Sequence, residues 1–232
     1  TKDECLDLPD VLYTTREVPL TPQQDKYYKQ LKKDMYMQAS GEEITVVNAG
    51  VMLTKLLQVS AGAIYSDASQ VIEFDISNRM TALKEIIDEA SHKVIVFCPF
   101  RHSIEKVLQE LHKDKISCDT IHGDVSMNKR TEIFKAFQES KDPQVLVIQP
   151  QAASHGVTLH AANVVVFWSP VMSVETYIQC CARMDRAGQK NKMTVVHLQG
   201  SPVEQKIYKM LQGKIENHIK LVDLYKEEFN DV

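Results

Sequence analysis

The chain has 232 residues, 44% of them hydrophobic and 25% charged. Those proportions exclude a disordered or fibrous chain, and the length suits one domain of roughly 150 residues with extensions, or two small domains. A net charge of −4 carries no overall basic signature, so a nucleic-acid partner has to be read from local patches.

To about Ile44 the sequence reads as polar and mostly helical. Thr21-Pro22-Gln23-Gln24 supplies an N-cap, a first-turn proline and a capping-box glutamine, after which Tyr27, Tyr28, Leu31 and Met35 recur at helical spacing. A second helix is predicted through Val47, Val51, Leu53, Leu56, Leu57 and Val59, stopping at Gly62. Ala63–Phe74 is read as a small hairpin turning at Ser66-Asp67. From Ser77 the texture changes. Met80, Leu83, Ile86, Ile87 and Ala90 mark an amphipathic helix, followed by a strand at Val94–Phe97 and a helix through Ile104, Val107, Leu108 and Leu111. Next come a strand at Cys118–His122, a helix at Arg130–Phe137, and strands at Val145–Ile148 and Val164–Phe167. A helix from about Val174 to Met184 and a strand at Thr194–Leu198 complete the series.

Short, nearly all-apolar strands alternating with amphipathic helices describe a parallel sheet covered on both faces. With right-handed crossovers this is a doubly wound α/β domain, placed over residues 77–200. Residues 1–76 are read as a helical N-terminal extension. Residues 201–232 are read as a C-terminal helical extension, opened by the cap Ser201-Pro202-Val203-Glu204 and breakable at Gly213.

Several chemistries are not written here. There is no Gly-x-x-x-x-Gly-Lys-Ser/Thr and no Gly-x-Gly-x-x-Gly, and Asp88-Glu89-Ala90-Ser91 sits on a predicted helix end rather than after a buried strand. The eight histidines show no metal-ligand spacing. The five cysteines lack a Cys-x-x-Cys pair, which points to reduced thiols. The longest apolar runs are far too short to cross a bilayer, and Thr1-Lys2-Asp3-Glu4 is no secretion signal. We therefore expect no membrane partner and a cytosolic-type compartment.

One segment stands out: Gln179-Cys180-Cys181-Ala182-Arg183-Met184-Asp185-Arg186-Ala187-Gly188-Gln189. Arg183 and Arg186 are three apart, and on a helix they project from nearly one face as an anion clamp. Spacing alone fits a basic surface stripe with Lys190 and Lys192 at least as well. The surrounding residues resemble the C-terminal lobe of the Swi/Snf-type ATPases of helicase superfamily two, whose last motif reads Gln-x-x-x-Arg-x-x-Arg-x-Gly-Gln. Gln179, Arg183, Arg186, Gly188 and Gln189 all match it. Upstream, Lys93–Phe100 is similar to the family's fourth motif, and Ile121-His122-Gly123-Asp124 with Arg130 and Phe137 to the next. The loop Gln149–His160 resembles the family's Gly-containing loop between two apolar strands, its His155-Gly156 pair being of the bacterial and phage kind, with Thr158 in place of the usual asparagine. Glu17–Gln24 with Tyr28 resembles the segment between the lobes, and Val203–Ile207 the helix after the last strand.

The resemblance implies a division of labour between two lobes. In this family two RecA-like lobes sandwich ATP, the first bringing the phosphate loop and a magnesium-binding acid. This chain would be the second, C-terminal RecA-like lobe. Arg183 and Arg186 would be catalytic, reaching the ATP phosphates, with Gln179, Gly156, Thr158 and Gln189 beside them at the nucleotide. Mg2+ would be held by the first lobe and no metal by this chain. Nucleic acid would lie on the loops after the strands, at Phe100, Arg101, His122, Gly123, Arg130, Gln149 and Ser154, through its phosphate backbone. The partners would be the N-terminal lobe of the same protein and DNA, double-stranded. The implied function is the second motor lobe of an ATP-dependent duplex-DNA translocase, active only in the full-length protein. Alternatives are a non-catalytic DNA-binding or scaffold module with a degenerate nucleotide site, and an RNA-directed helicase lobe.

Overall fold

The computed structural model describes residues 11–39, 46–65, 70–154, 158–184, 189–213 and 221–229. It resolves into two compact units, one of residues 1–16 with 80–198 and one of residues 17–79 with 199–232.

The first unit is built on a six-stranded sheet. Its strands are β1 (Val11–Glu17), β4 (Lys93–Phe97), β5 (Cys118–Ile121), β6 (Val145–Ile148), β7 (Ala162–Phe167) and β8 (Met193–Gln199), in spatial order β1-β8-β7-β4-β6-β5. Pairing from β5 across to β8 is parallel throughout. Around the sheet lie α3 (Ser77–Glu89), α4 (Arg101–Lys113), α5 (Met127–Glu139) and α6 (Val174–Cys181). β4 to β5 steps outward and β5 to β6 steps back, so right-handed crossovers put α4 and α5 on opposite faces. Every residue of β6, and all of β4 after Lys93, is buried. This is the doubly wound α/β architecture expected from the continuous apolar runs.

In two places the structure departs from that reading. The stretch before Thr21 holds a strand, β1, at the sheet edge. Its residues are half-buried or exposed and none is buried, so this edge strand lacks the all-apolar run that announces its neighbours. The helix expected to run to Met184 ends at Cys181, where Ala182 caps it with its N–H on the carbonyls of Ile178 and Cys180. The C-terminal helical face breaks where the sequence allowed it: among the described residues it holds two helices, α7 (Pro202–Leu211) and α8 (Leu221–Phe229), the first followed by Gly213 at φ +67°.

The second unit gathers both flanks of the chain. α1 (Pro22–Ala39) packs on α2 (Val46–Ala61), which packs on α7 and α8. The predicted caps are formed: Thr21 and Gln24 exchange hydrogen bonds of 3.1 and 3.3 Å at the start of α1, and Ser201 and Glu204 close a capping box on α7. α2 stops at Gly62, whose φ of +112° and whose Cβ position, 2.2 Å from Ile76 Cγ2, both require glycine. Beyond it β2 (Ala63–Tyr65) and β3 (Val71–Glu73) form the expected antiparallel hairpin, its turn at Ser66-Asp67 lying outside the described residues. Buried ion pairs hold the unit together. Arg79 meets Glu204 through two N···O separations of 2.9 Å, and Glu228 accepts from Tyr28 Oη at 2.7 Å and Lys206 Nζ at 2.8 Å.

Candidate nucleotide and nucleic-acid sites

Parallel strands in register deliver their following loops to one edge. Phe97 pairs with Ile148 and Ile148 with Ile121, so the residues after β4, β5 and β6 emerge side by side. Phe100, Arg101, His122, Gly123 and Gln149 therefore gather at this edge. Gly123 N–H donates to Gln149 Oε1 at 3.3 Å, and Gln149 N–H to the Ile121 carbonyl at 2.8 Å. Arg101 contacts the His122 ring, lies 3.0 Å from the Asp124 carboxylate and donates from Nε to Glu105 at 3.1 Å. Phe100 is the half-buried residue preceding α4. A Cβ on Gly123 would meet nothing within 4 Å, so no packing within the chain calls for a glycine there, and its backbone stands open to close approach.

Arg130 takes a different place from the one the sequence suggests. Only 9% exposed, it donates to the carbonyls of Val125 at 2.8 Å, His122 at 2.9 Å and Gly123 at 3.2 Å. Its guanidinium is spent on shaping the loop after β5. Ser154 ends a 3-10 turn at Pro150–Ser154 that packs on α6. The His122 imidazole is held below its ordinary pKa, first by burial and then by the Arg101 guanidinium. Trp168 is fully buried, a core residue.

The described residues assigned to the nucleotide sit elsewhere in the same unit. Arg183 follows α6 in a turn, its N–H bonded to the Cys180 carbonyl at 3.2 Å, and is 5% exposed. The helix being over at Cys181, Arg183 does not stand on it as the spacing suggested; Arg186, Gly156 and Gly188 lie outside the described residues. The Arg183 carbonyl accepts from Leu159 N–H at 3.0 Å, tying this turn to the loop that carries Thr158, which is half-buried. Gln189 is buried, with its amide donating to the Ala162 carbonyl at 2.9 Å and accepting from Asn191 N–H at 3.0 Å. Its side chain braces the start of β7. Gln179 is exposed on α6 and donates to Glu175 at 3.2 Å. Burial raises the pKa of the neighbouring Cys180 thiol, an effect the Arg183 charge partly offsets. Among the described residues no cluster of His, Cys, Asp or Glu could hold a metal ion, and no helix is long and apolar enough to cross a membrane.

The predicted residues thus divide into two groups. Phe100, Arg101, His122, Gly123 and Gln149 meet at the carboxyl ends of the strands, whereas Arg183 and Gln189 stand at the amino-terminal margin of β7. In the sequence Asp124 counts only as a member of the Ile121-His122-Gly123-Asp124 motif and Glu105 is unmarked; together they are the carboxylates that hold Arg101.

Residues 78–188 match the family described as the helicase conserved C-terminal domain, a span that runs from α3 to the arginine turn. This stretch is similar to a helicase C-terminal domain. The protein p41 of Acyrthosiphon pisum secondary endosymbiont phage 1 is 25% identical over 202 residues, 84% of this chain and 42% of its own length. The chain spans between 10% and 25% of the length of seven other curated relatives, so the helicase domain corresponds to part of each. Among solved structures, the C-terminal part of the Fun30 ATPase domain superposes with a TM-score of 0.76 at 16% identity, covering 97% of this chain and 98% of that one. The Sulfolobus solfataricus SWI2/SNF2 ATPase core in complex with dsDNA superposes with a TM-score of 0.74 at 23% identity, covering 97% of this chain and 50% of that one. The fold is that of a RecA-like helicase C-terminal lobe, helical flanks included.

Proposed function

We propose that this chain is the second motor lobe of a Swi/Snf-type, ATP-dependent translocase on duplex DNA. The observation that carries the reading is Arg183. A guanidinium only 5% exposed, in a turn fastened to the Thr158–Leu159 loop, lies inside the helicase-domain span. A buried arginine beside a loop that joins two buried strands is a candidate functional group.

With a first lobe in place, Arg183 and Arg186 stabilise charge developing on the transferred phosphoryl group. Gln179, Gly156 and Thr158 line the nucleotide from the same side, and Gln189 keeps the arginine turn in position. The donors on this chain suit one wall of an ATP site; Mg2+ belongs to the first lobe, which supplies the phosphate loop. ATP binding draws the lobes together and hydrolysis releases them. The strand ends at Phe100, Arg101, His122, Gly123 and Gln149, with Ser154, grip the DNA backbone differently in the two states. The duplex in the Sulfolobus ATPase core supports the DNA assignment by analogy of fold.

The test joins the chain to a first lobe and measures nucleic-acid-stimulated ATP hydrolysis. Arg183→Lys and Arg186→Ala each lower turnover by about 10³-fold or more, with melting temperatures followed because Arg183 is buried. Hydrolysis indifferent to both changes makes the chain a binding module. Stronger stimulation by structured RNA than by duplex DNA makes it an RNA-directed lobe.

A further inference from the structure

The two arginines at the carboxyl edge of the sheet are both already engaged. Arg130 is committed to the carbonyls of His122, Gly123 and Val125, on either side of residue 124. It braces the loop so that the Asp124 side chain, 82% exposed, projects from a fixed base. Asp124 N–H is held as well, donating to His122 Nδ1 at 3.3 Å. Arg101 stands opposite on the first turn of α4. Its Nε is on Glu105 at 3.1 Å, and its Nη1 lies between His122 Nδ1, which it contacts, and Asp124 Oδ2, 3.0 Å away.

A carboxylate and a phosphate present the same chemistry to a guanidinium: anionic oxygens that accept from its planar fork. Asp124 fills the place a backbone phosphate would take on Arg101. We propose that Asp124 is a built-in competitor of nucleic-acid phosphate for Arg101, so that binding at this edge exchanges one anion for another. The inference rests on reading this edge as a nucleic-acid surface and adds how its grip is limited. An exposed pair of this kind is worth about a two- to fivefold factor in an equilibrium. The exchange therefore weakens the hold without preventing it, as a lobe that must release and re-grip requires. It also leaves a mark on the salt dependence. When phosphate displaces Asp124, the freed carboxylate takes up a cation, cancelling one counterion that Arg101 would otherwise release.

The experiment measures binding of the 232-residue chain to a short fluorescent DNA duplex across a salt series, by anisotropy. Asp124→Asn raises affinity about two- to fivefold at low salt. It also steepens the slope of log K against log salt by up to about 0.9. Glu132→Gln removes another exposed carboxylate, on α5, 68% exposed against 82% for Asp124, and reports the general effect of one lost negative charge. In an Arg101→Gln background the Asp124→Asn gain disappears, because the change acts through that guanidinium. The proposal is overturned if Asp124→Asn matches Glu132→Gln, or if its gain survives without Arg101. Binding by the wild-type chain in either case leaves the nucleic-acid reading standing, whereas no binding by any variant removes both.

Discussion

Gly200 and His122 show single residues constrained by what surrounds them. A Cβ on Gly200 would lie 1.9 Å from the Val18 carbonyl oxygen and 3.3 Å from Arg79 Nη2. Val18 is itself held by a 2.7 Å bond to the Gln199 carbonyl, so the backbone has little room to yield. Gly200→Ala is expected to cost about 2 kcal/mol or more, read from the urea midpoint. His122 carries a different consequence. Burial and the Arg101 charge depress its pKa, so the folded chain favours the neutral ring. As pH falls through the ordinary value of about 6.5, the unfolded chain takes up a proton that the folded chain refuses. The stability present above that value is lost on the acid side, down to the folded pKa. NMR titration should place the His122 midpoint below the ordinary value, and Arg101→Gln should move it back up. Cys118 is held up to about 11, by burial and then by Asp119, and should alkylate slowly at neutral pH.

Helices here are finished by groups supplied from far along the chain. The last turn of α5 is closed by Lys93 from the start of β4, whose Nζ donates to the Phe137 carbonyl at 2.7 Å and the Ser140 carbonyl at 2.6 Å. The same ammonium lies 5.0 Å from the Phe137 ring centroid. An amine on terminal carbonyls satisfies orphan acceptors and opposes the negative end of the helix dipole. Lys93→Met should cost about 1 kcal/mol in denaturant unfolding. In the second unit Glu228, on α8, gathers Tyr28 from α1 and Lys206 from α7. Tyr28 loses its acidity through burial first and Glu228 second. Replacing Glu228 with Gln weakens both contacts at a buried site, at an expected cost of about 2 kcal/mol. Thermal melts of Glu228→Gln and Tyr28→Phe, singly and together, would measure how much of that cost is shared.

For the molecule as a whole, the proposed chemistry belongs to an assembly. The chain covers half of the Sulfolobus ATPase core and 98% of the Fun30 C-terminal part. On the proposed reading the purified chain folds, binds ATP weakly and turns it over negligibly. Robust hydrolysis by the chain alone, in a coupled assay with an Arg183→Lys control, would overturn that reading.

Much of this was legible in the residues. Strands such as Val145–Ile148 are apolar on both faces because both faces are covered, so a buried parallel sheet writes itself as a continuous run. Capping at Thr21 and Ser201 and the stop at Gly62 are local backbone chemistry, readable within four residues. Tertiary structure alone decided the rest, because the deciding partners are remote in sequence. β1 became a strand by joining β8. The two flanks became one unit because α2 met α7 and α8. Arg130 turned from a surface charge into a brace because three carbonyls of the loop after β5 face it. Arg183 left the helix because Ala182 ended it. Periodicity records which face of an element is covered; which group ends up beside which charge is set only when the chain closes on itself.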